Sequence, residues 1–499
     1  VVFFNASTRL LGMSLNAGFQ TAAAWALRMR GVPVVHFACQ GGLSRCVLGA
    51  ALNGPQALPP CSGCIAQSRA VLPAGRTHWF VQRPDPALRA ALAGLSVPEM
   101  ETFAWAGEGE GSPMPLGALC LPALRWTLRR HHLLDDAETR ELFRQYMVSA
   151  WQVAVDFAAL LERENPRAVV VFNGMFYPEA AARWVARERF GLPVYSHEVG
   201  LRPLTAFFTP GDATAYPIQI PDSFQLSPEQ DARLNAYLEQ RLKGNFTMAG
   251  IRFWPEMRGL DEAFLTKLAG FKQLVPVFTN VIFDTSQPHS NVVFPHMFAW
   301  LDQVLETAAA HPETLFVIRA HPDESRAGKA ARENVAGWAR ERGLERLSNV
   351  HFVPSDAYFS SYELIQRAHF VMVYNSTIGL EAALMGAAVL CAGKARFTQL
   401  PTVFFPASVE EYRRVSAGFL AAAQVSAPPE FRANARRFLY YQLYKTSLPF
   451  DAWLEEDGVW PGYVRFKDLG SEAFDPARQP ILDVITAGIL SASPFLLEN

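Results

Sequence analysis

Five short apolar runs between residues 273 and 393 leave this chain few folds to choose from. They read QLVPVFTN, LFVIRAHP, NVHFVPS, HFVMVYN and AAVLCAG, and they are separated by FPHMFAWLDQVLETAAA, ESRAGKAARENVAGWARERG, SYELIQRA and STIGLEAALMG. Strands that alternate with helices build a parallel sheet, because a right-handed helical crossover returns each strand in the same direction. Ser360 stands three residues before Glu363, the capping-box spacing that opens the SYELIQRA helix.

The same rhythm occupies the first half. VVFFNAS reads as a strand, Gly12 and Gly18 flank a turn, FQTAAAWALRMRG is a helix closed by Gly31, and VPVVHFAC is the next strand. Arg28 and Arg30 sit in that helix's last turn, where its dipole favours cations. After a mainly helical stretch over about 84–165, RAVVVFNG ends in Asn173-Gly174, PEAAARWVARERFG is a helix, and LPVYSHEVG ends in His197, Glu198 and Gly200. A chain of 499 residues exceeds one core. The reading is α/β: two Rossmann-like domains facing a cleft, with a helical insertion in the first. The domains are 1–268, holding the cysteine segment 39–64, and 269–430, followed by a helical tail 431–499 that crosses back to the first domain.

Half of the residues are hydrophobic and 18% are charged. Lys plus Arg number 45 against 47 Asp plus Glu, a net charge of −2, so nothing in the global charge asks for nucleic acid. No apolar run reaches the length of a membrane-spanning helix. The opening VVFFNASTRLLG reads as a core strand rather than a leader, so the expectation is a cytoplasmic protein.

Ligands of open α/β sheets bind outside the carboxyl ends of the strands. In the second series that edge carries Thr279 and Asn280, Arg319 and His321, and Ser376 and Thr377. Pro322 holds His321 extended, so its ring stays at the strand end, where it can donate to a phosphate or protonate a leaving phosphate. Ser376 and Thr377 open a helix, and free backbone N–H groups with two hydroxyls suit a phosphate. Each has a plainer explanation: a loop histidine with its bond satisfied, and ordinary helix caps. Glu381, one turn into that helix, can accept from a ribose diol or simply favour the helix start. Asp284 and Glu179 are weaker carboxylate candidates.

A His-Pro after one strand and a Ser-Thr pair opening a later helix resemble the bacterial sialyltransferases and capsule Kdo transferases, which are GT-B glycosyltransferases using CMP-activated sugars. GLEAALMGAAVL is similar to the donor-binding helix of GT-B enzymes, and VPVFTNVIFDTS with FAWL resembles capsule-polysaccharide biosynthesis proteins. The resemblance implies that His321, Ser376 and Thr377 contact the donor phosphate and Glu381 the ribose. It also implies an acidic motif in the first domain whose carboxylate acts on the acceptor hydroxyl. The nearest match is His197-Glu198-Val199-Gly200, with one carboxylate instead of two and an extra residue before the glycine. Glu198 is then the base, with His197 its substitute, against the plainer reading of a surface loop carboxylate. Asn173 with Gly174 either shape the acceptor side or simply form a tight turn, the plainer reading.

The expected function is transfer of a sugar from a nucleotide-activated donor, CMP-linked on this resemblance, to a surface glycan or lipid-linked glycan. No metal is required for transfer if the helix end and a histidine neutralise the phosphate. The rival readings are a CDP-polyol phosphotransferase, a nucleotide-sugar epimerase, and a non-catalytic glycan- or nucleotide-binding scaffold.

Two features fall outside that scheme. Cys39, Cys46, Cys61 and Cys64 follow the spacing C-x6-C-x14-C-x2-C. A structural zinc clip, buried thiols, and an iron–sulfur cluster or redox pair all answer to it. Arg125-Trp-Thr-Leu-Arg-Arg-His-His132 is basic and aromatic, which suits either a solvated helix face or peripheral contact with the inner face of an anionic membrane.

Overall fold

The computed structural model describes residues 1–6, 12–47, 58–107, 112–242, 259–326, 328, 330–459 and 462–498. Residues 48–57 of the cysteine segment lie outside them. The strands are β1 Val2–Asn5, β2 Met13–Ser14, β3 Val35–Cys39, β4 Thr77–Phe80, β5 Val169–Phe172, β6 Val194–Val199, β7 Thr205–Thr209, β8 Gln273–Phe278, β9 Thr314–Arg319, β10 Val350–Val353, β11 Val371–Val373, β12 Val389–Cys391, β13 Leu448–Pro449, β14 Leu454–Glu456 and β15 Tyr463–Phe466.

They form a seven-stranded sheet in the order β13-β7-β6-β5-β1-β3-β4, a five-stranded sheet in the order β10-β9-β8-β11-β12, and a small sheet β14-β15-β2. In the first, β6, β5, β1, β3 and β4 run parallel, β7 joins β6 antiparallel, and β13 joins β7 antiparallel. The second is parallel throughout. Both parallel sets start at a central strand, step twice to one side, then return to the other. Each therefore has a topological switch point, between β1 and β5 and between β8 and β11, where a crevice opens at the carboxyl ends. This is the two-domain Rossmann-like architecture expected from the alternation of apolar runs.

Parallel strands are covered on both faces, and their sequences lose the in-out alternation. VFFN of β1 and VVVF of β5 are buried at every position. Phe4 and Phe37 pack on one face with Phe157 of the long helix Ala137–Glu164. Phe3 and Val170 face the opposite way, towards the helix Leu15–Met29 and the late helix Pro480–Ser491. The chain beyond 430 thus returns to the first sheet twice, through β13 on β7 and through this helix. No helix among the described residues is long and apolar enough to cross a membrane.

The basic stretch 125–132 is engaged inside the molecule. Arg129 adopts the left-handed conformation at φ 58° and lies over Trp126 at 4.1 Å and Phe283 at 5.3 Å. Its carbonyl accepts from Arg332 N–H, and the backbone N–H groups of His131 and His132 donate to Glu333 at 2.8 and 2.9 Å. These residues dock the helical region onto the second unit. Arg129, His131 and His132 are thus engaged in a contact within the molecule, while the His132 side chain stays 52% exposed.

Three histidines are buried in the folded chain. Burial lowers His36 to about 4, helped by Arg28, and lowers His197 to about 3. His131 falls to about 3 through burial and then the nearby Arg125. On unfolding each regains its ordinary value near 6.5, so the unfolded chain binds more protons as the pH falls. The stability they contribute is complete above about pH 6.5 and is lost towards pH 3–4, with a slope of up to about 1.4 kcal/mol per pH unit for each. Burial drives Glu324 the other way, up to about 8, so its contribution is complete below about pH 4.3 and declines as the pH rises towards 8. Urea midpoints measured from pH 7 down to pH 5 should fall steeply; a flat profile would contradict this assignment.

Candidate functional site

A cavity of about 270 Å³ lies at the carboxyl edge of the five-stranded sheet. The loops that follow four of its strands supply the walls. Asn280 and Val281 follow β8, His321 and Asp323 follow β9, Asn375, Ser376 and Thr377 follow β11, and Lys394 and Arg396 follow β12. Thr214, Ala215 and Pro217, from the segment after β7, close the opposite side. The cavity therefore lies where the two units meet.

Each wall has a local cause. Asn280 donates to Asn375 Oδ1 at 2.7 Å, and Asn375 donates to Ser290 Oγ at 2.7 Å, which ties the ends of β8 and β11 together. Thr377 caps the helix Ile378–Leu384 by position, yet no side-chain capping bond forms there. That distinguishes the pair from ordinary caps, because the Thr377 hydroxyl is not committed to the helix. Gly379 lets this helix sit close to the sheet: a Cβ there would come within 2.9 Å of both Val373 and Phe397.

The His321 ring accepts at Nδ1 from the Asp323 N–H at 3.2 Å, which places the proton of the neutral ring on Nε2. Burial lowers its pKa; Asp323 and Asp284 oppose that and Arg319 reinforces it. A neutral imidazole with Nε2–H is a hydrogen-bond donor for an anionic oxygen. Lys394 and Arg396 add two cations to the same wall. They follow the fifth strand directly, in GKARF, and sequence reasoning passed over them because they lie outside the His-Pro and Ser-Thr motifs. Asp284 also lines the cavity, its Oδ1 accepting from the Ser286 N–H and hydroxyl at 2.8 and 2.6 Å.

Three expected donor contacts lie elsewhere. Arg319 is buried and donates to the Phe359 carbonyl, and burial lowers its pKa to about 10. Thr279 is buried and its hydroxyl donates to the Arg319 carbonyl at 2.9 Å. Both fasten β8 and β9 behind the cavity without lining it. Glu381 is a further correction. Its Oε1 accepts from Arg241 Nε and Nη2 at 3.0 and 2.6 Å, and its Oε2 accepts from the Tyr362 hydroxyl at 2.6 Å. The carboxylate expected on a ribose is thus held in a buried ion pair with the helix Pro228–Leu242.

On the first unit, Glu198 is the penultimate residue of β6 and is half-buried. Asn173 Nδ2 donates to its Oε2 at 2.8 Å, and Asn16 Nδ2 and the Val199 N–H donate to its Oε1 at 3.3 and 3.0 Å. Asn173 and Gly174 both take positive φ, 57° and 84°, so the chain turns sharply off β5 and aims the amide at the carboxylate. His197 is corrected as an acceptor contact. It is fully buried between Phe172 and Phe208, and its Nδ1 pairs with Asn16 Oδ1 at 3.2 Å. Glu179 is fully buried in the helix Tyr177–Trp184.

Tyr216 links the two halves and carried no sequence signal. Its hydroxyl donates to the Val199 carbonyl at 2.6 Å, and the Arg396 guanidinium lies 3.4 Å from its ring centre. Burial raises its pKa, Arg396 opposes, and Glu198 and Asp284 both reinforce the rise. One side chain therefore feels the first unit's carboxylate and the second unit's cavity together.

Two Rossmann-like units meet at a polar cavity on the carboxyl edge of the second sheet, closed by the first unit's segment after β7, an arrangement of the GT-B class of fold. Residues 256–400 match the family model described as capsule polysaccharide biosynthesis protein, which covers the second sheet's strands and the His-Pro and Ser-Thr motifs. No curated protein sequence matches the chain. Among solved structures, the chain is similar to Thermosulfurimonas dismutans KpsC, beta Kdo 2,4 transferase, at 13% identity and a TM-score of 0.36, over 57% of this chain and 81% of that one. The beta Kdo 2,7 transferase of the same protein gives 14% identity and 0.34, over 62% and 85%. UDP-GlcNAc 2-epimerase from Neisseria meningitidis gives 13% and 0.27, over 59% and 81%.

Proposed function

We propose that this protein is a glycosyltransferase of capsule or related polysaccharide biosynthesis, moving a sugar from a nucleotide-activated donor to a glycan acceptor. The observation that carries the reading is one cavity lined by His321, Ser376, Thr377, Lys394 and Arg396. Imidazole Nε2–H, two hydroxyls and two cations make a receptor for a phosphate or diphosphate. The family match over 256–400 supports a sugar-linked donor, and the sequence resemblance favours CMP. In this reading the cavity stabilises charge on the departing nucleotide, and Glu198 removes the acceptor proton as the sugar carbon is attacked. Asn16 and Asn173 hold that carboxylate by hydrogen bonds near the carboxyl end of β6.

A thermal-shift screen over CMP, CDP, UDP, GDP and their sugars is expected to single out one nucleotide. Nucleotide release must then depend on an acceptor, which separates transfer from epimerisation. No shift with any nucleotide would overturn the donor site. Glu198→Gln keeps the shape and removes the base, so donor binding should survive while transfer falls by about 10²–10⁴-fold. Unchanged transfer in that variant moves the base elsewhere.

A further inference from the structure

The cysteine segment lines a cavity separate from the donor cavity, and its geometry points to a metal. Cys39 ends β3, Cys46 follows one loop later, and Cys61 and Cys64 open the helix Cys61–Val71. Although Cys39 and Cys61 are far apart in sequence, all four side chains line one small cavity, closed by Ala6, Gly41, Leu43, Pro59, Pro60 and Ile65. No Cys, His, Asp or Glu falls between Cys46 and Cys61, so the available donors there are sulfur alone.

The surroundings suit thiolates. Gly41 takes φ 71° and turns the chain after Cys39, so that the Gly42 N–H donates to Cys39 Sγ at 3.2 Å. Cys61 and Cys64 occupy the first turn of an eleven-residue helix, where free N–H groups favour negative charge. Four cysteines that line one cavity become thiolates together only with a cation among them.

We propose that Cys39, Cys46, Cys61 and Cys64 bind one zinc ion as a closed, structural four-thiolate site. Four sulfur donors with no histidine or carboxylate among the cavity's lining residues are a ligand set that structural zinc takes. Among the described residues no group of three or more Cys, His, Asp or Glu is already arranged to hold a metal ion. Binding therefore requires the four side chains that line the cavity to turn their sulfurs onto the ion and release their protons. A set of four sulfurs leaves no open position for substrate or water, which makes the site structural rather than catalytic. The clip would pin the excursion between β3 and β4 to the carboxyl edge of the first sheet, beside the acceptor crevice.

The test is metal content and ligand spectroscopy on the full chain, and neither needs an acceptor substrate. Protein purified from zinc-supplemented cells should carry about one zinc per chain, and a mercurial should release it as about four thiols react. Cobalt exchanged into the site should show thiolate charge-transfer bands and intense tetrahedral visible bands. Cys61→Ser with Cys64→Ser should lose the zinc, and Cys391→Ser should retain it. If the double variant fails to fold, mercurial release from the unaltered protein still decides. Protein that holds no zinc and takes up no cobalt overturns the proposal. Iron with acid-labile sulfide, or a Cys61–Cys64 disulfide in protein purified without reductant, overturns it as well.

Discussion

His321→Ala is expected to lower transfer by about 10²–10⁴-fold while the chain keeps its fold. The ring follows β9 with Nδ1 accepting from the Asp323 N–H, so the neutral ring carries its proton on Nε2, the donor that the proposed role uses. Burial keeps the ring neutral at pH 7, and a departing phosphate that gains negative charge strengthens the bond it receives. The loss should therefore fall more on kcat than on KM, because the interaction grows as the leaving group develops charge. His321→Gln retains a donor of similar reach and should recover part of the rate. Equal kinetics in wild type and His321→Ala, with unchanged melting, would remove His321 from the mechanism. Lys394→Ala and Arg396→Ala should weaken nucleotide affinity first, since cations on an existing phosphate act in the ground state as well.

Arg241→Leu is expected to cost about 3–5 kcal/mol of stability, the typical result of leaving one member of a buried ion pair alone. Arg241 and Glu381 have side chains only 7% and 9% exposed and meet at 2.6 Å. Burial works against the Arg241 charge, and the Glu381 carboxylate outweighs it, raising the guanidinium pKa. Tyr362 completes the cluster, its own pKa raised by burial and by Glu381. Replacing both partners, Arg241→Leu with Glu381→Leu, should restore much of the loss, because two apolar side chains need no charge compensation. Urea denaturation of the singles and the double provides the cycle. A single variant within about 1 kcal/mol of wild type would show that the pair is not integral. The same variants test the ribose expectation. If Glu381 only anchors the helix Pro228–Leu242, Glu381→Gln lowers stability and leaves nucleotide affinity intact at a temperature where both proteins are folded.

Why some site residues were legible and others not follows from what local sequence encodes. His321 and the Ser376-Thr377 pair were readable because strand, proline and helix start act within a few residues of each other. Arg319 was not, although it is two residues from His321, because where a long side chain goes depends on what lies beyond the strand. Here the Phe359 carbonyl waits 40 residues later. Glu381 shows the same limit: one turn of helix set its position, and Arg241, 140 residues earlier, set its partner. Tyr216 and Arg396 meet across 180 positions and could be paired only in three dimensions.

What the chain's order of residues determined unaided was its class. Alternating apolar runs and amphipathic helices dictate parallel sheets, and polar residues at strand ends then collect on one edge, because every parallel strand points the same way. Tertiary structure alone decided which of those edge residues enter the cavity, which turn back to brace it, and that the basic 125–132 stretch grips the second unit. The reason is physical: period and turn chemistry are short-range, whereas pairing of charges and burial of side chains depend on groups that only folding brings within a few ångströms.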